Sequence, residues 1–439
     1  MNIQNKYQRT PLHLAAGAGN TQVVDILLAA GADVYSIDAN NCTALHYSAA
    51  KGHDVILEAL IKKGADVNCK SNLICTPLHA AAITSNEKII QMLLNNGASV
   101  NEKGKFGFTA LHAASLFGNS SVVEALLQEK ADVNAEDDNG VTSLHLAATG
   151  NLEVARLLVG RGADINAINK YGFKPIHIAA LNGHLNILVF FLELGMSIDD
   201  TGVDGFNLIH CAAMGGQLAV TQYLIDNHLE FNSTDIVGAT PLHWSARIGH
   251  TEMVKFLLQS GAVYDATNNC GKTPSDLTKS QDIKELLASI EKLFKSVKKN
   301  YVLKVGNLVK DLAKYVNVKS SDNATLLHIA SWKGFEEVCD ILLKSKANPN
   351  TVAKGGNAPL HYASKYSHPG IVKSLLKNGA EHNLKANNTK TPLDFATQKD
   401  IKSLLQTVAC CFRKVIMRDV QVIEDITRIM KEIGTRFTN

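Results

Sequence analysis

The sequence repeats itself with a period of 33 residues, and each copy opens on Thr-Pro-Leu-His or a variant of it. The step between openings is constant except between Thr142 and Lys174, where the chain has lost one residue near Ala147-Ala148-Thr149-Gly150. Such a period is typical of a supersecondary unit that stacks on its neighbours in a linear array. The first eight openings begin at Thr10, Thr43, Thr76, Thr109, Thr142, Lys174, Asn207 and Thr240.

Each copy carries the residues that begin and end two short helices. At one opening Thr240 is a good N-cap, and Pro241 fits the first helical turn, where a missing N–H costs nothing. Leu242 and the small Ala246 predict a narrow apolar face that presses against the next copy. A glycine then leads into a second helix, which ends at a pair such as Gly261-Ala262. We expect the segment that follows to form a β-turn finger leading to the next copy.

The period and the Thr-Pro-Leu-His-x-Ala motif resemble those of ankyrin repeats, and the resemblance extends over most of the chain. It implies an all-α solenoid of helix-turn-helix units, each followed by a β-turn finger. A solenoid also explains the length, because 439 residues exceed the roughly 250–300 residues at which single cores stop growing.

Two shortened units divide the chain. Leu286 comes 13 residues after Thr273, whereas Leu257 comes 17 residues after Thr240, and a near copy of the shortened unit opens at Thr391. We interpret both as terminating repeats, because the end of a solenoid needs a more polar face. The prediction is a first array at 1–289, with eight full repeats and a short terminating repeat, and a second array at 290–405. The second array has a divergent starting repeat, two full repeats and a short terminating repeat.

Both ends of the chain invite interpretation. No capping repeat precedes Thr10, so the chain is either a fragment of a longer protein or an array that begins uncapped, with Leu12, Leu14 and Val23 facing solvent. The tail at 406–439 has apolar residues every three or four positions, which predicts an amphipathic helix or two. This tail either covers the end of the second array or binds a partner. Lipidation at Cys410-Cys411 is a further alternative.

The sequence offers no catalytic, metal or cofactor site. Ten of the sixteen histidines occupy the fourth position of a repeat opening, so we expect them to bond neighbouring backbone. The eight cysteines lack CxxC spacing and are predicted to be free thiols. The net charge of +3 implies neither nucleic acid nor a membrane surface, although lysines between Lys292 and Lys314 form a basic face. That face is either a solvated surface or a site for an acidic partner or phospholipid.

Function is expected where the repeats differ. In ankyrin-repeat proteins partners usually bind the concave side, and the resemblance places three columns there: finger tips, the residue before each opening, and the end of the first helix. Their apolar members predict a groove for a protein or peptide, unless they only cover neighbouring repeats. The candidate contact residues are Phe106, Phe108, Leu116, Phe117, Val141, Tyr171, Phe173, Leu181, Phe206, Met214, Ile236, Val237 and Ile248.

The expected function is therefore a non-enzymatic interaction scaffold or adaptor. Because no secretory signal or transmembrane segment is visible, a cytoplasmic localisation is predicted. The alternative is the ankyrin portion of a secreted pore-forming toxin, since the paired arrays and uncapped start are similar to part of a latrotoxin-like chain. Nothing in the sequence resembles the helical head of such toxins.

Overall fold

The computed structural model describes residues 2–72, 75–84 and 86–410, which divide into two compact units on either side of Glu230 and Phe231. The N-terminal unit contains seven pairs of short helices. The first helix of each pair is α1 (Pro11–Ala18), α3 (Ala44–Lys51), α5 (Pro77–Ile83), α7 (Ala110–Leu116), α9 (Ser143–Ala147), α11 (Pro175–Asn182) or α13 (Leu208–Gly215). The second is α2 (Thr21–Ala29), α4 (Asp54–Lys62), α6 (Glu87–Asn95), α8 (Ser120–Gln128), α10 (Leu152–Gly160), α12 (Leu185–Glu193) or α14 (Leu218–Asp226).

The two kinds of helix form two layers. Each first helix packs against the first helix of the next repeat, and the second helices from α2 to α12 pack in the same way. Small residues make the close approach possible, since Ala49, Ala81 and Ala114 are fully buried between first helices. In the described ranges β-structure is limited to isolated bridges. The all-α solenoid predicted from the period is confirmed.

The missing residue after Thr142 shortens one helix. Helix α9 has five residues and ends at Ala147, and the turn continues to Gly150. The preceding inter-helix turn shows why glycine is used there: Gly118 has φ +73°, and a Cβ on it would lie 2.3 Å from Oδ1 of Asn151.

The C-terminal unit also contains paired helices. They are α15 (Pro241–Ile248), α16 (Thr251–Gln259), α17 (Pro274–Leu277), α18 (Gln281–Lys298), α19 (Val302–Leu312), α20 (Leu326–Lys333), α21 (Glu336–Lys344), α22 (Pro359–Lys365), α23 (Pro369–Lys377) and α24 (Pro392–Phe395). Short 3-10 turns lie at Lys105–Gly107 in the first unit and Ala313–Tyr315 in the second. Residues 399–410 are helical as well.

Helix α18 joins the first terminating repeat to the starting repeat. It runs without a break through 289 and 290, the positions at which the sequence places the boundary between arrays. Its apolar stripe, which includes Ile283, Leu287, Ile290 and Phe294, is buried along the whole length. The helix packs against α16 and α17 as well as α19 and α20. The two arrays therefore share a helix at this point, and their division at 289 stays a prediction about repeat units.

Two fingers also meet across this junction. Val263 and Lys319 form a parallel β-bridge, and the amide of Tyr264 donates to the Lys319 carbonyl oxygen at 3.1 Å. The amide of Ser321 donates to Oδ1 of Asp265 at 2.7 Å, although 56 residues separate the two in sequence. The helices of the terminating and starting repeats thus lie, in sequence, between two fingers that pair directly.

A ladder of asparagines identifies the starting repeat. In a regular repeat Asn134 accepts from the amide of Asp164 at 2.8 Å and donates to the Gly162 carbonyl oxygen at 3.2 Å. Asn317 makes the same two contacts, with the Asn348 amide at 2.7 Å and the Lys346 carbonyl at 3.4 Å. Asn317 therefore occupies the same structural position as the finger asparagines of the regular repeats.

One sequence expectation at the N-terminus is wrong. Leu12 is only 2% exposed, because α1 packs against both α2 and α3 and encloses that side chain. Leu14 and Val23 are exposed, as expected. At the other end Cys410 is exposed, while Cys411 and nearly all of the predicted tail lie outside the described residues.

Candidate partner-binding groove

The residue before most repeat openings is held by a histidine of the preceding repeat; at Phe206 it is not, because the buried Nε2 of His177 has no hydrogen-bond partner among the described residues. Nε2 of His79 donates to the carbonyl oxygen of Phe108 at 3.0 Å, and Nε2 of His145 donates to that of Phe173 at the same distance. His112 does the same for Val141 at 2.9 Å. The backbone of this column is therefore fixed by the scaffold, and its side chains remain available for other contacts.

These histidines are neutral structural groups. Nδ1 of His112 accepts from the backbone amide of Thr109 at 3.1 Å, which leaves the proton on Nε2. Burial lowers the pKa of His112, although the hydrogen bond to Val141 opposes the shift. Burial lowers the pKa of His177 and His328 to about 4. The prediction that the opening histidines bond neighbouring backbone is confirmed for His13, His46, His79, His112, His145, His243, His328 and His361, whereas the buried Nε2 of His177 has no hydrogen-bond partner in the part of the chain that the structure describes.

Aromatic side chains line the column in the first unit. The rings of Phe173 and Phe206, in adjacent repeats, have centroids 5.9 Å apart. Phe108 packs on His112 at 5.1 Å. All three phenylalanines and the intervening Val141 are half-buried. Each ring therefore covers part of the neighbouring repeat and keeps part of its surface for solvent or a ligand.

The finger tips add the most exposed aromatics. Phe106 is 65% exposed and Tyr171 is 62% exposed. Phe106 has φ 61°, and its carbonyl oxygen accepts from the Asp138 amide at 2.8 Å, so the strained tip is anchored to the next finger. The amide of Tyr171 donates to Oδ1 of Asn169 at 3.0 Å. Both tips are thus fixed by the backbone while their rings project into solvent.

The ends of the first helices complete the first-unit part of the site. Leu116 and Phe117 are exposed, and Leu181 and Met214 are half-buried. The end of α7 is held by Asn151, whose Nδ2 donates to the Ser115 carbonyl oxygen at 3.2 Å. An apolar set with no charged member therefore occupies tips, column and helix ends in the first unit.

The remaining predicted residues lie in the second unit. Ile236, Val237 and Ile248 are exposed there. Trp244 is half-buried, and its Nε1 donates to Oδ2 of Asp235 at 2.8 Å, which ties the indole to the finger before its helix.

Sequence reasoning missed an aromatic cluster in the second unit. Trp332, Tyr362 and Tyr366 line a cavity of about 610 Å³ together with three lysines. The signal was present in the sequence, since aromatics follow the opening His328 and His361 along α20 and α22. It was overlooked because the apolar columns of the first unit are longer.

Within the ranges that the structure describes, no group of three or more His, Cys, Asp or Glu side chains is arranged to hold a metal ion. None of the described helices has both the length and the apolar composition needed to cross a membrane.

Comparisons with known proteins agree with the fold. A family model described as ankyrin repeats (3 copies) matches residues 1–71, 68–137, 176–268, 293–386 and 327–414, and one described as ankyrin repeats (many copies) matches 145–192. The human ASB11 ankyrin repeat domain is among the solved structures that match, with 24% identity and a TM-score of 0.46. That match covers 51% of this chain and 99% of the other. A comparison with curated proteins found no significant match.

The chain belongs to the ankyrin-repeat family, whose domains generally mediate protein–protein interaction without catalysing a reaction. The comparisons give no support to the alternative of a pore-forming toxin.

Proposed function

We propose that the first unit is a non-enzymatic scaffold that binds a protein segment in an apolar groove. The groove consists of the ten candidate residues of that unit: Phe106, Phe108, Leu116, Phe117, Val141, Tyr171, Phe173, Leu181, Phe206 and Met214. The observation that carries the proposal is the packing of Phe173 on Phe206, whose ring centroids are 5.9 Å apart, next to the exposed ring of Tyr171. Large aromatics fixed by a rigid backbone lose little freedom on binding and dominate interface energies.

The most exposed residues of the groove are not needed to cover neighbouring repeats. Phe106, Phe117 and Tyr171 each keep more than half of their surface in solvent. Packing between repeats does not explain why large apolar rings are exposed to this extent, whereas an interaction site does. A partner that covers them would remove apolar area from water, and each such ring can contribute about 1.5–3 kcal/mol. The partner is therefore expected to present apolar side chains along an extended or helical segment.

The test uses peptides selected from a display library on the full-length chain. A triple variant with Phe106→Ser, Phe117→Ser and Tyr171→Ser should weaken binding of the selected peptides by roughly thirtyfold or more, as loss of hot-spot aromatics does. The matched control is Ile26→Ser with Val55→Ser, which removes exposed apolar residues from the second-helix layer. Equal binding by both variants would contradict the proposal.

A second variant addresses the half-buried rings. Phe108→Ser, Phe173→Ser and Phe206→Ser together should abolish binding while the helical circular dichroism signal is kept.

Ile236, Val237 and Ile248 stay predicted contact residues of the second unit, and cytoplasmic localisation stays a prediction.

A further inference from the structure

A second cavity, of different chemistry, lies in the C-terminal unit. Its volume is about 610 Å³, and we call it the basic aromatic pocket. Three elements contribute side chains to it: α18, α20 with the finger before it, and α22 with the finger before it. The residues used below are Trp332, Tyr362, Tyr366, Lys298, Lys333 and Lys354.

Two aromatic rings form an accessible apolar surface in this pocket. Trp332 is 44% exposed and Tyr366 is 42% exposed, and their ring centroids are 6.3 Å apart. The carbonyl oxygen of Trp332 accepts from Nε2 of His368 at 3.2 Å, which fixes the end of α20. Tyr362 lies deeper and packs edge-on against His328. The apolar part of the pocket is therefore preorganised.

The charges around the rings are unbalanced. The three lysines are exposed, and the pocket lining contains a single carboxylate, that of Asp322. None of these lysines belongs to an ion pair within the part of the chain that the structure describes. Because burial lowers the pKa of His328 to about 4, that histidine adds no positive charge at neutral pH. The lining thus carries an excess of positive charge that an anionic ligand would neutralise.

A cationic ligand fits poorly, although aromatic residues often bind cations. The Trp332 ring already carries Nζ of Lys333 at 4.3 Å from its centroid, and the Tyr366 ring carries Nζ of Lys365 at 5.4 Å. A second cation on either face would be repelled by these ammonium groups. A small anion alone also fits poorly, because the lysines come from three separate elements with the rings between them.

We propose that the basic aromatic pocket binds an acidic peptide segment of a partner protein. An apolar side chain of the segment packs against the exposed surfaces of Trp332 and Tyr366, and flanking carboxylates face Lys298, Lys333 and Lys354. This site differs from the apolar groove of the first unit in position and in chemistry, so either can exist without the other. The protein would then hold two segments, one recognised by apolar contact and one by charge with an aromatic anchor.

The test measures fluorescence anisotropy of labelled peptides with the full-length chain. The probe is Glu-Glu-Glu-Phe-Glu-Glu-Glu, and the matched peptides replace Phe with Ala or every Glu with Lys. We expect the acidic Phe peptide to bind, the Ala peptide to bind more weakly, and the basic peptide not to bind. Binding should weaken as salt increases, because exposed charges are screened. Failure of the acidic Phe peptide to bind, or equal binding by the basic peptide, overturns the proposal.

Variants separate the pocket from general charge. Lys333→Glu with Lys354→Glu should weaken binding by at least about tenfold, and Trp332→Ala by roughly thirtyfold. The control, Lys373→Glu with Lys377→Glu, makes the same charge change on exposed residues of α23 outside the pocket and should leave binding unchanged. Circular dichroism checks that each variant is folded.

Two further outcomes count against the proposal. Equal losses in the control and pocket variants would show nonspecific attraction to positive charge. Displacement of the peptide by inorganic phosphate, or preferential binding to anionic phospholipid vesicles, would assign the pocket to a different ligand. The Ser variants of the first-unit groove should bind the acidic probe normally, so failure of one proposal leaves the other testable.

Discussion

His46 joins two repeats: its Nε2 donates to the carbonyl oxygen of Cys75 at 3.0 Å, while its Nδ1 accepts from the Thr43 amide at 3.1 Å. One imidazole therefore caps its own helix and holds the entry to the next repeat. The arrangement requires a neutral ring, because a protonated Nδ1 could not accept the amide hydrogen bond. The same geometry recurs along the chain, and it makes the stability of the solenoid depend on pH.

The first prediction is acid destabilisation between pH 6.5 and 4. Burial lowers the pKa of nine opening histidines, to about 4 for His177 and His328, so the unfolded chain binds more protons in this window. The histidine contribution to the free energy of unfolding should be constant above pH 7, fall as the pH drops below 6.5, and lose up to about 1.4 kcal/mol per pH unit for each buried ring. The other seven are His13, His46, His79, His112, His145, His243 and His361.

Urea denaturation at pH 7, 6 and 5 measures this dependence. His328→Gln should reduce the slope of the free energy of unfolding against pH by the contribution of about one bound proton. A free energy of unfolding that does not change between pH 7 and pH 5 would contradict the assignment of neutral, buried rings.

The second prediction is a gain in stability at a repeat opening without threonine. Ala358 occupies the N-cap of α22, is buried, and donates its amide to Nδ1 of His361 at 3.0 Å. Thr325 occupies the equivalent N-cap of α20 in the same backbone conformation, and its hydroxyl oxygen lies 2.8 Å from Nδ1 of His328. A threonine at position 358 would add the same hydrogen bond. Ala358→Thr should therefore stabilise the protein by about 0.5–2 kcal/mol.

Thermal or urea unfolding compares this variant with Ala358→Val, which has the same shape without the hydroxyl. The valine variant should show no gain. If both variants stabilise equally, the effect comes from volume and not from the capping hydrogen bond.

The third prediction concerns thiol reactivity. Burial raises the pKa of Cys211 and Cys339 to about 12, so neither forms a thiolate at pH 8. Cys270 is exposed. Mass spectrometry after brief alkylation at pH 8 should find Cys270 modified and the two buried cysteines unmodified until urea is added. Early modification of Cys339 would mean that α21 opens locally in the native state.

The repeat pattern predicted the helices because their start signals are local. The helices at Pro11, Pro175 and Pro241 each begin at the residue after the predicted cap. The burial of Leu12 was missed because an uncapped end was expected to expose its whole first helix. The position of Leu12 depends instead on packing with α2 and α3, which a single repeat does not reveal.

The course of α18 was also missed, because unit length suggested a boundary at 289. A stop signal was absent, since neither glycine nor proline occurs between Gln281 and Lys298. The columns of the first groove were accessible to sequence reasoning because each position recurs every repeat. The basic aromatic pocket was not, because it needs the spatial meeting of Trp332 with Tyr366 and with Lys298 from a helix outside the regular repeats.

The bridge between Val263 and Lys319 joins two fingers of the C-terminal unit that are far apart in sequence. The residues between the two fingers form an excursion whose helices, α17 to α19, pack on α15 and α16 on one side and on α20 and α21 on the other. The entropy of closing such an excursion grows only slowly with its length. Lengthening the chain between the two fingers is therefore expected to cost little, provided that the buried stripe of α18 and its packing on α16 and α20 are kept.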